Sequence, residues 1–287
     1  MICVLLIGCT SPGTNEAEAA PEPGLSGGER PFEDTGLPEG PTWSLDEVAA
    51  RLAEVLSQPA PTSGSMALSY EELMGHRSLT CPQAETASLD IWVVWASAGS
   101  PCTTEEGWTW YGIANGAGGC SSADGMEDVQ VGALVSFEAT DPQGEVFEAG
   151  GTFHQACRFS EREGECEGAL TGAFHYPAAT GWLADGVESA LYVGDTWEGD
   201  RHELLYDGGV TRGGLSLAFH ELRVTPEHVE GRIALRDPTD YWYEMMLTAD
   251  SGGCGQMSWR GEVLGEVCID ASAWNAPIPH PEKACRP

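Results

Sequence analysis

The chain is predicted to be all-β: an antiparallel meander forming a strongly curved sheet, barrel or sandwich, with one N-terminal amphipathic helix. Three observations predict this. From about Met66 onward apolar and polar residues alternate with period two. Glycine-bearing turns punctuate those segments at hairpin spacing. Cross-strand partners in successive hairpins match in charge or size at a single register.

The helix comes first. Ser44 and Glu47 form an S-x-x-E capping box, and Trp43 is placed to staple onto Val48 across the first turn. Leu45, Val48, Leu52, Val55 and Leu56 fall on one face, and Pro59 and Pro61 stop the helix, giving the span 44–57.

On the strand from Ile91 to Ala96, Trp92 and Trp95 are an odd number of residues apart and face opposite sides. With Trp108, Trp110 and Tyr111 they form a dense aromatic group. Such a group is a candidate platform for stacking on sugars or holding an apolar ligand.

The next strand alternates cleanly, with Val129, Val131, Ala133, Val135 and Phe137 on one face. Pro142-Gln143-Gly144 fits a three-residue hairpin loop closed by glycine in the left-handed region. That loop sets Phe137 against Ala149, Val135 against Gly151 and Ala133 against Phe153, large against small.

A second hairpin through Ser160 to Glu163 sets Arg158 against Glu165, Thr152 against Thr171 and Glu148 against His175. The same register leaves Cys157 facing Cys166 on the apolar side, a cross-strand disulfide. A third hairpin around Thr225 to His228 pairs Val224 with Val229, Arg223 with Glu230 and Glu221 with Arg232. A fourth, centred on Gly261, sets Cys254 opposite Cys268. Gly132, Gly150, Gly151, Gly168 and Gly172 point to strong bending.

Charge narrows the partners. Against 45 Asp and Glu stand 13 Lys and Arg, a formal net charge of -32, which repels nucleic acid and anionic membrane surfaces alike. The acidity has a plain reading, solubility in a salty envelope, and a sharper one, calcium binding. Asp124, Glu127 and Asp128, and separately Asp195, Glu198 and Asp200, are the candidate ligands, although no stretch has EF-hand spacing. No other cofactor is expected.

Met1 to Ile7 form an apolar run far too short to span a bilayer. It ends in Leu6-Ile7-Gly8-Cys9, which resembles the lipobox of bacterial lipoproteins. The resemblance implies that residues 1–8 are a signal peptide and that Cys9 is acylated as the mature N-terminus. It also implies a bacterial cell-envelope location, periplasmic or surface-facing, with membrane contact through the lipid alone. No Lys or Arg precedes Arg30, so the positive opening of a signal peptide is expected further upstream. Residues 10 to 42 hold six Pro, six Gly and seven acidic side chains. They read, with Cys9, as a flexible acidic tether over 9–42. The domain proper is expected over 43–287.

Removing Cys3 and acylating Cys9 leaves eight cysteines, an even set suited to an oxidising compartment. With Cys157–Cys166 and Cys254–Cys268 fixed by register, elimination pairs Cys102 with Cys120 and Cys81 with Cys285. The spacings contain no C-x-x-C and exclude a zinc ribbon.

Catalytic signatures are missing. Phe-His recurs at Phe153-His154, Phe174-His175 and Phe219-His220. Register places His154 and His175 on the polar face but His220 with Leu222 and Val224, so a three-histidine metal site is not expected. His202-Glu203 and His220-Glu221 lack the second histidine of H-E-x-x-H. Gly214-Leu215-Ser216-Leu217-Ala218 lacks the last glycine of a nucleophile elbow and lies in a strand. The favoured reading is a non-enzymatic binding or interaction module for a glycan, an apolar ligand or an envelope protein. The alternative is an exported hydrolase with a carboxylate or metal site that leaves no short motif.

Overall fold

The computed structural model describes residues 40–87, 93–97, 99–160, 162–179 and 181–279. Cys9, the tether up to residue 39, Trp92 and Cys285 lie outside the described residues.

The expected helix forms as α1 (Leu45–Leu56), with Ser44 and Glu47 closing the capping box in both directions. Its Val48, Leu52, Val55 and Leu56 are buried. Trp43 stacks on Tyr243 with ring centroids 5.7 Å apart. Its N–H donates to the Tyr243 hydroxyl at 2.7 Å, and that hydroxyl donates to the Trp43 carbonyl at 3.1 Å.

One correction follows at once. Residues expected to begin the strands form a second helix, α2 (Ser63–Met74), capped by Thr62 and Ser65. A hydroxyl replaces Glu or Gln at the third position, so the usual capping signature is absent from the sequence. Tyr70 of α2 packs between Phe137 and Phe153, and desolvation pushes its hydroxyl up to about 12.

The sheet begins with three short strands, β1 (Ala84–Ala87), β2 (Val93–Ala96) and β3 (Cys102–Thr103). Six long ones follow: β4 (Thr109–Ala123), β5 (Met126–Thr140), β6 (Val146–Phe159), β7 (Glu163–His175), β8 (Val187–Glu198) and β9 (Arg201–Arg212). It ends with β10 (Leu215–Val224), β11 (Val229–Arg236), β12 (Trp242–Leu247), β13 (Cys254–Trp259) and β14 (Glu262–Cys268). All belong to one antiparallel meander in chain order, with β3 off the path on β4. Among the described residues no ladder joins β1 to β14, so the sheet is open rather than a barrel.

The β5–β6–β7 register is the one the sequence predicts, from Phe137 opposite Ala149 to Cys157 opposite Cys166 and Glu148 opposite His175. Burial alternates along β5, and its inward Val129, Val131, Ala133, Val135 and Phe137 join one hydrophobic cluster with α1 and α2. The helices therefore cover the apolar face of the sheet while its polar face meets solvent. Gly151 and Gly172 sit opposite each other with φ of +156° and +130°. A Cβ on either would lie 2.1 or 2.2 Å from a backbone carbonyl across the ladder. Only glycine permits that closeness, which fits the bending expected from glycine-rich strands.

In the third hairpin Arg223 does face Glu230, but an extra residue bulges β10 between His220 and Arg223. Glu221 takes a left-handed conformation there, with φ of +47°. His220 thus faces Arg232 in place of Glu221, and its side chain is exposed rather than on the face of Leu222 and Val224.

Two predicted disulfides form, Cys157–Cys166 and Cys254–Cys268, with Cα–Cα distances of 4.0 and 3.9 Å. The pairs assigned by elimination do not hold. Cys81 bonds Cys102 across 21 residues, because β3 lies back on the head of β4 and carries Cys102 away from Cys120. Cys120 is itself disulfide-bonded. Replacing Cys157 and Cys166 together by alanine is expected to lower stability by about 2–3 kcal/mol, the chain-entropy value for so short a loop. Denaturant titration reads the loss, and an unchanged midpoint would show that the bridge constrains nothing.

The last segment crosses the apolar face as a strap. Trp274 is fully buried, its ring against Phe219 at 4.9 Å, Tyr206 at 5.1 Å and Trp182 at 6.2 Å. Its carbonyl accepts from the Tyr206 hydroxyl. Further along, the Ile278 N–H donates to Asp195 and the Gln155 amide donates to the Pro279 carbonyl.

Candidate functional site

A meander sends alternate hairpin turns to the same end of the sheet. The β4–β5, β6–β7, β8–β9 and β10–β11 turns share one rim, and two clefts of 1190 and 610 Å³ run between their tips. Both clefts are lined in part by Glu198 and Arg201.

The larger cleft gathers half of the candidate calcium ligands. Glu127, Glu198 and Asp200 line the larger cleft, with Glu163, Arg162 and Arg201. Asp124 heads the two-residue β4–β5 turn, where both it and Gly125 have positive φ. Asp128 lies 3.8 Å from Arg158 on the outer face. Asp195 turns inward and is 1% exposed. The clusters are therefore divided by strand alternation. Among the described residues no three His, Cys, Asp or Glu side chains are grouped to hold a metal ion.

Asp195 instead makes a structural pair. One oxygen accepts from the Ile278 N–H at 2.9 Å, and the other lies 3.2 Å from His202 Nδ1. A carboxylate orienting an imidazole is the arrangement of a general base. Here the far nitrogen, His202 Nε2, is buried and has no hydrogen-bond partner. Nearby, the Thr225 hydroxyl lies 3.3 Å from His228 Nδ1, yet it also accepts from the N–H groups of Glu227 and His228. It serves the turn. Ser216 lies in β10, beside Thr211 at 2.9 Å, and not on an elbow.

The histidines of the Phe-His repeats are spread over the outer face. His154 and His220 stand four strands apart, about 19 Å at normal strand spacing.

The aromatic platform is largely core. Trp95 and Trp110 are fully buried, edge to face at 5.8 Å, and both pack on Phe137. Inward alternation on β2 and β4 accounts for this, and it leaves Tyr111 half exposed on the outer face. Trp108 differs. It closes the turn before β4, with its N–H donating to the Thr104 hydroxyl, and it borders a pocket of 160 Å³ at the opposite end of the sheet.

That pocket escapes sequence reasoning because its walls come from distant segments. Leu73 and His76 follow from α2, Phe147 from β6 and Tyr176 from the end of β7. Glu72, Asp141 and Glu145 stand around it. His76 stacks on Trp108 at 4.3 Å, and Phe147 lies 5.5 Å from Trp108 and 6.0 Å from Tyr176. Burial holds the Tyr176 hydroxyl well above its ordinary pKa, so the ring stays neutral. The one signal for it in the sequence was the dense aromatic group, through Trp108.

These features define a class: a disulfide-stapled, open antiparallel β-meander sealed by two helices, presenting an acidic rim groove and a small aromatic pocket. Comparison with known proteins returns no match to a family model, a curated protein or a solved structure.

Proposed function

We propose that this chain is a lipid-anchored protein of the bacterial cell envelope that works by binding rather than by catalysis. The observation that carries the reading is the rim groove: a wide cleft open to solvent, running between hairpin tips and lined by acidic and basic side chains from successive turns. Neither imidazole beside it is arranged for turnover, since His202 turns its Nε2 inward and the Thr225 hydroxyl holds a turn. Such a groove suits a polar, extended partner, a glycan or a segment of another envelope protein, with calcium as a bridging ion to be tested.

Export is supported by the lipobox-like Leu6-Ile7-Gly8-Cys9 and by disulfides that suit an oxidising compartment. On this reading Cys9→Ser leaves the protein unprocessed or soluble, and intact-mass analysis of the membrane-bound wild type finds a lipid adduct on Cys9. An unmodified Cys9 in the membrane fraction refutes the anchor.

Thermal denaturation of the full chain against calcium, zinc and a glycan panel tests the groove. A ligand at a hundred times its dissociation constant stabilises by about 2.7 kcal/mol, a rise of about 5–10 °C for a domain of this size. Glu198→Gln with Asp200→Asn abolishes the rise if the groove is the site. Turnover of ester or glycoside substrates by the same preparation favours the hydrolase.

A further inference from the structure

We propose that the pocket beside Trp108 binds a small methylated organic cation, of the quaternary ammonium class. The pocket stands at the other end of the sheet from the rim groove, and the inference holds whether or not that groove binds anything.

Size comes first. At 160 Å³ the pocket is well below the range that takes drug-sized ligands, so its occupant is a single compact group. The lining then sets the chemistry. Trp108, Phe147 and Tyr176, 8%, 5% and 1% exposed, border it from separate elements, Phe147 lying 5.5 Å from Trp108 and 6.0 Å from Tyr176; His76 stacks on Trp108, and Leu73 adds an aliphatic wall. Aromatic rings carry negative charge on their faces and attract a cation that has shed its water. A quaternary ammonium sheds water readily because it has no N–H to leave unpaired.

Charge points the same way. Glu72, Asp141 and Glu145 line the pocket, His76 is the one basic side chain among its described lining residues, and no Lys or Arg is among them. An anion would meet repulsion there, and a neutral ligand would leave the carboxylates unused. Asp141 is fixed by its own loop, its Oδ1 accepting from the N–H groups of Gln143 and Glu145 at 2.8 Å each. Its carboxylate is thus held in position before any ligand arrives, which lowers the ordering cost of binding.

Choline and its uncharged carbon isostere, 3,3-dimethyl-1-butanol, separate charge from shape. With the full chain, choline is expected to give a saturable change in tryptophan fluorescence and a saturable calorimetric signal, with affinity at least about tenfold above the isostere. Asp141→Asn keeps an oxygen for the two loop N–H groups and removes the charge, and with Glu72→Gln it is expected to weaken choline about tenfold while the melting temperature stays put. Trp108→Leu is expected to abolish the fluorescence response. Equal responses to choline and the isostere, no saturation by choline in either measurement, or undiminished choline affinity in the Asp141→Asn, Glu72→Gln protein would each overturn the proposal.

Discussion

Trp274→Ala is expected to destabilise the protein by about 4 kcal/mol, in the range for emptying a buried tryptophan site. The indole is 0% exposed and meets Trp182, Tyr206 and Phe219, which come from separate elements. None of those large rings is free to collapse into the space, so both lost contact and residual cavity count. Removing the side chain also loosens the strap that brings Ile278 to Asp195 and Pro279 to Gln155. Denaturant titration of the variant measures the loss. A change below about 1 kcal/mol, the size of an ordinary surface effect, would show that the strap is peripheral.

Gly151→Ala is expected to cost about 3 kcal/mol or more, from unfavourable backbone conformation and overpacking together. Its Cβ would stand 2.1 Å from the Thr171 carbonyl and 2.7 Å from Gly172 Cα. Both obstacles are backbone, so relief requires the β6–β7 ladder to part. Gly150→Ala is the control. Nothing lies within 4 Å of the Cβ it would add, and its φ is not in the left-handed region. That neighbour should be neutral or gain up to about 1 kcal/mol by restricting the unfolded chain. Equal effects at the two positions would show that the sheet does not bend at Gly151.

Legibility followed locality. The β5–β6–β7 register was readable because turn glycine, charge pairs and the two cysteines all lie within one run of chain and agree. The second helix was not, since Ser65 stands in place of the usual Glu or Gln capping partner and its small residues carry little helical periodicity. His220 failed for one residue: the bulge at Glu221 turns it outward, and a bulge leaves no reliable mark in a charge pattern. Elimination misassigned Cys81 and Cys102 because two residues of β3 are too short to announce a register.

For the sites, residue type was readable and assembly was not. The sequence singled out Trp108 and the acidic residues near 127 and 198, and these do border concave surfaces. It gave no means of knowing that Trp95 and Trp110 turn into the core, or that Asp195 faces inward while Glu198 faces out. The aromatic pocket joins residues from 69 to 179, a reach that no motif spans.

The order of the meander also bears on how the chain folds. Each long strand pairs with the one made just before it, so hairpins form over short loops at small entropic cost. The helices at the front have no such neighbour. Trp43 waits for Tyr243, 200 residues later, and Val55 for Trp182. A chain emerging from its N-terminus therefore zips a growing sheet whose oily face meets α2 early, at Phe137 and Phe153, and is covered over Tyr206 and Phe219 only when Trp274 arrives. Loss of residues 269–287 removes the strap with Trp274 and bares Tyr206 and Phe219, an oily surface fit for chaperones and proteases.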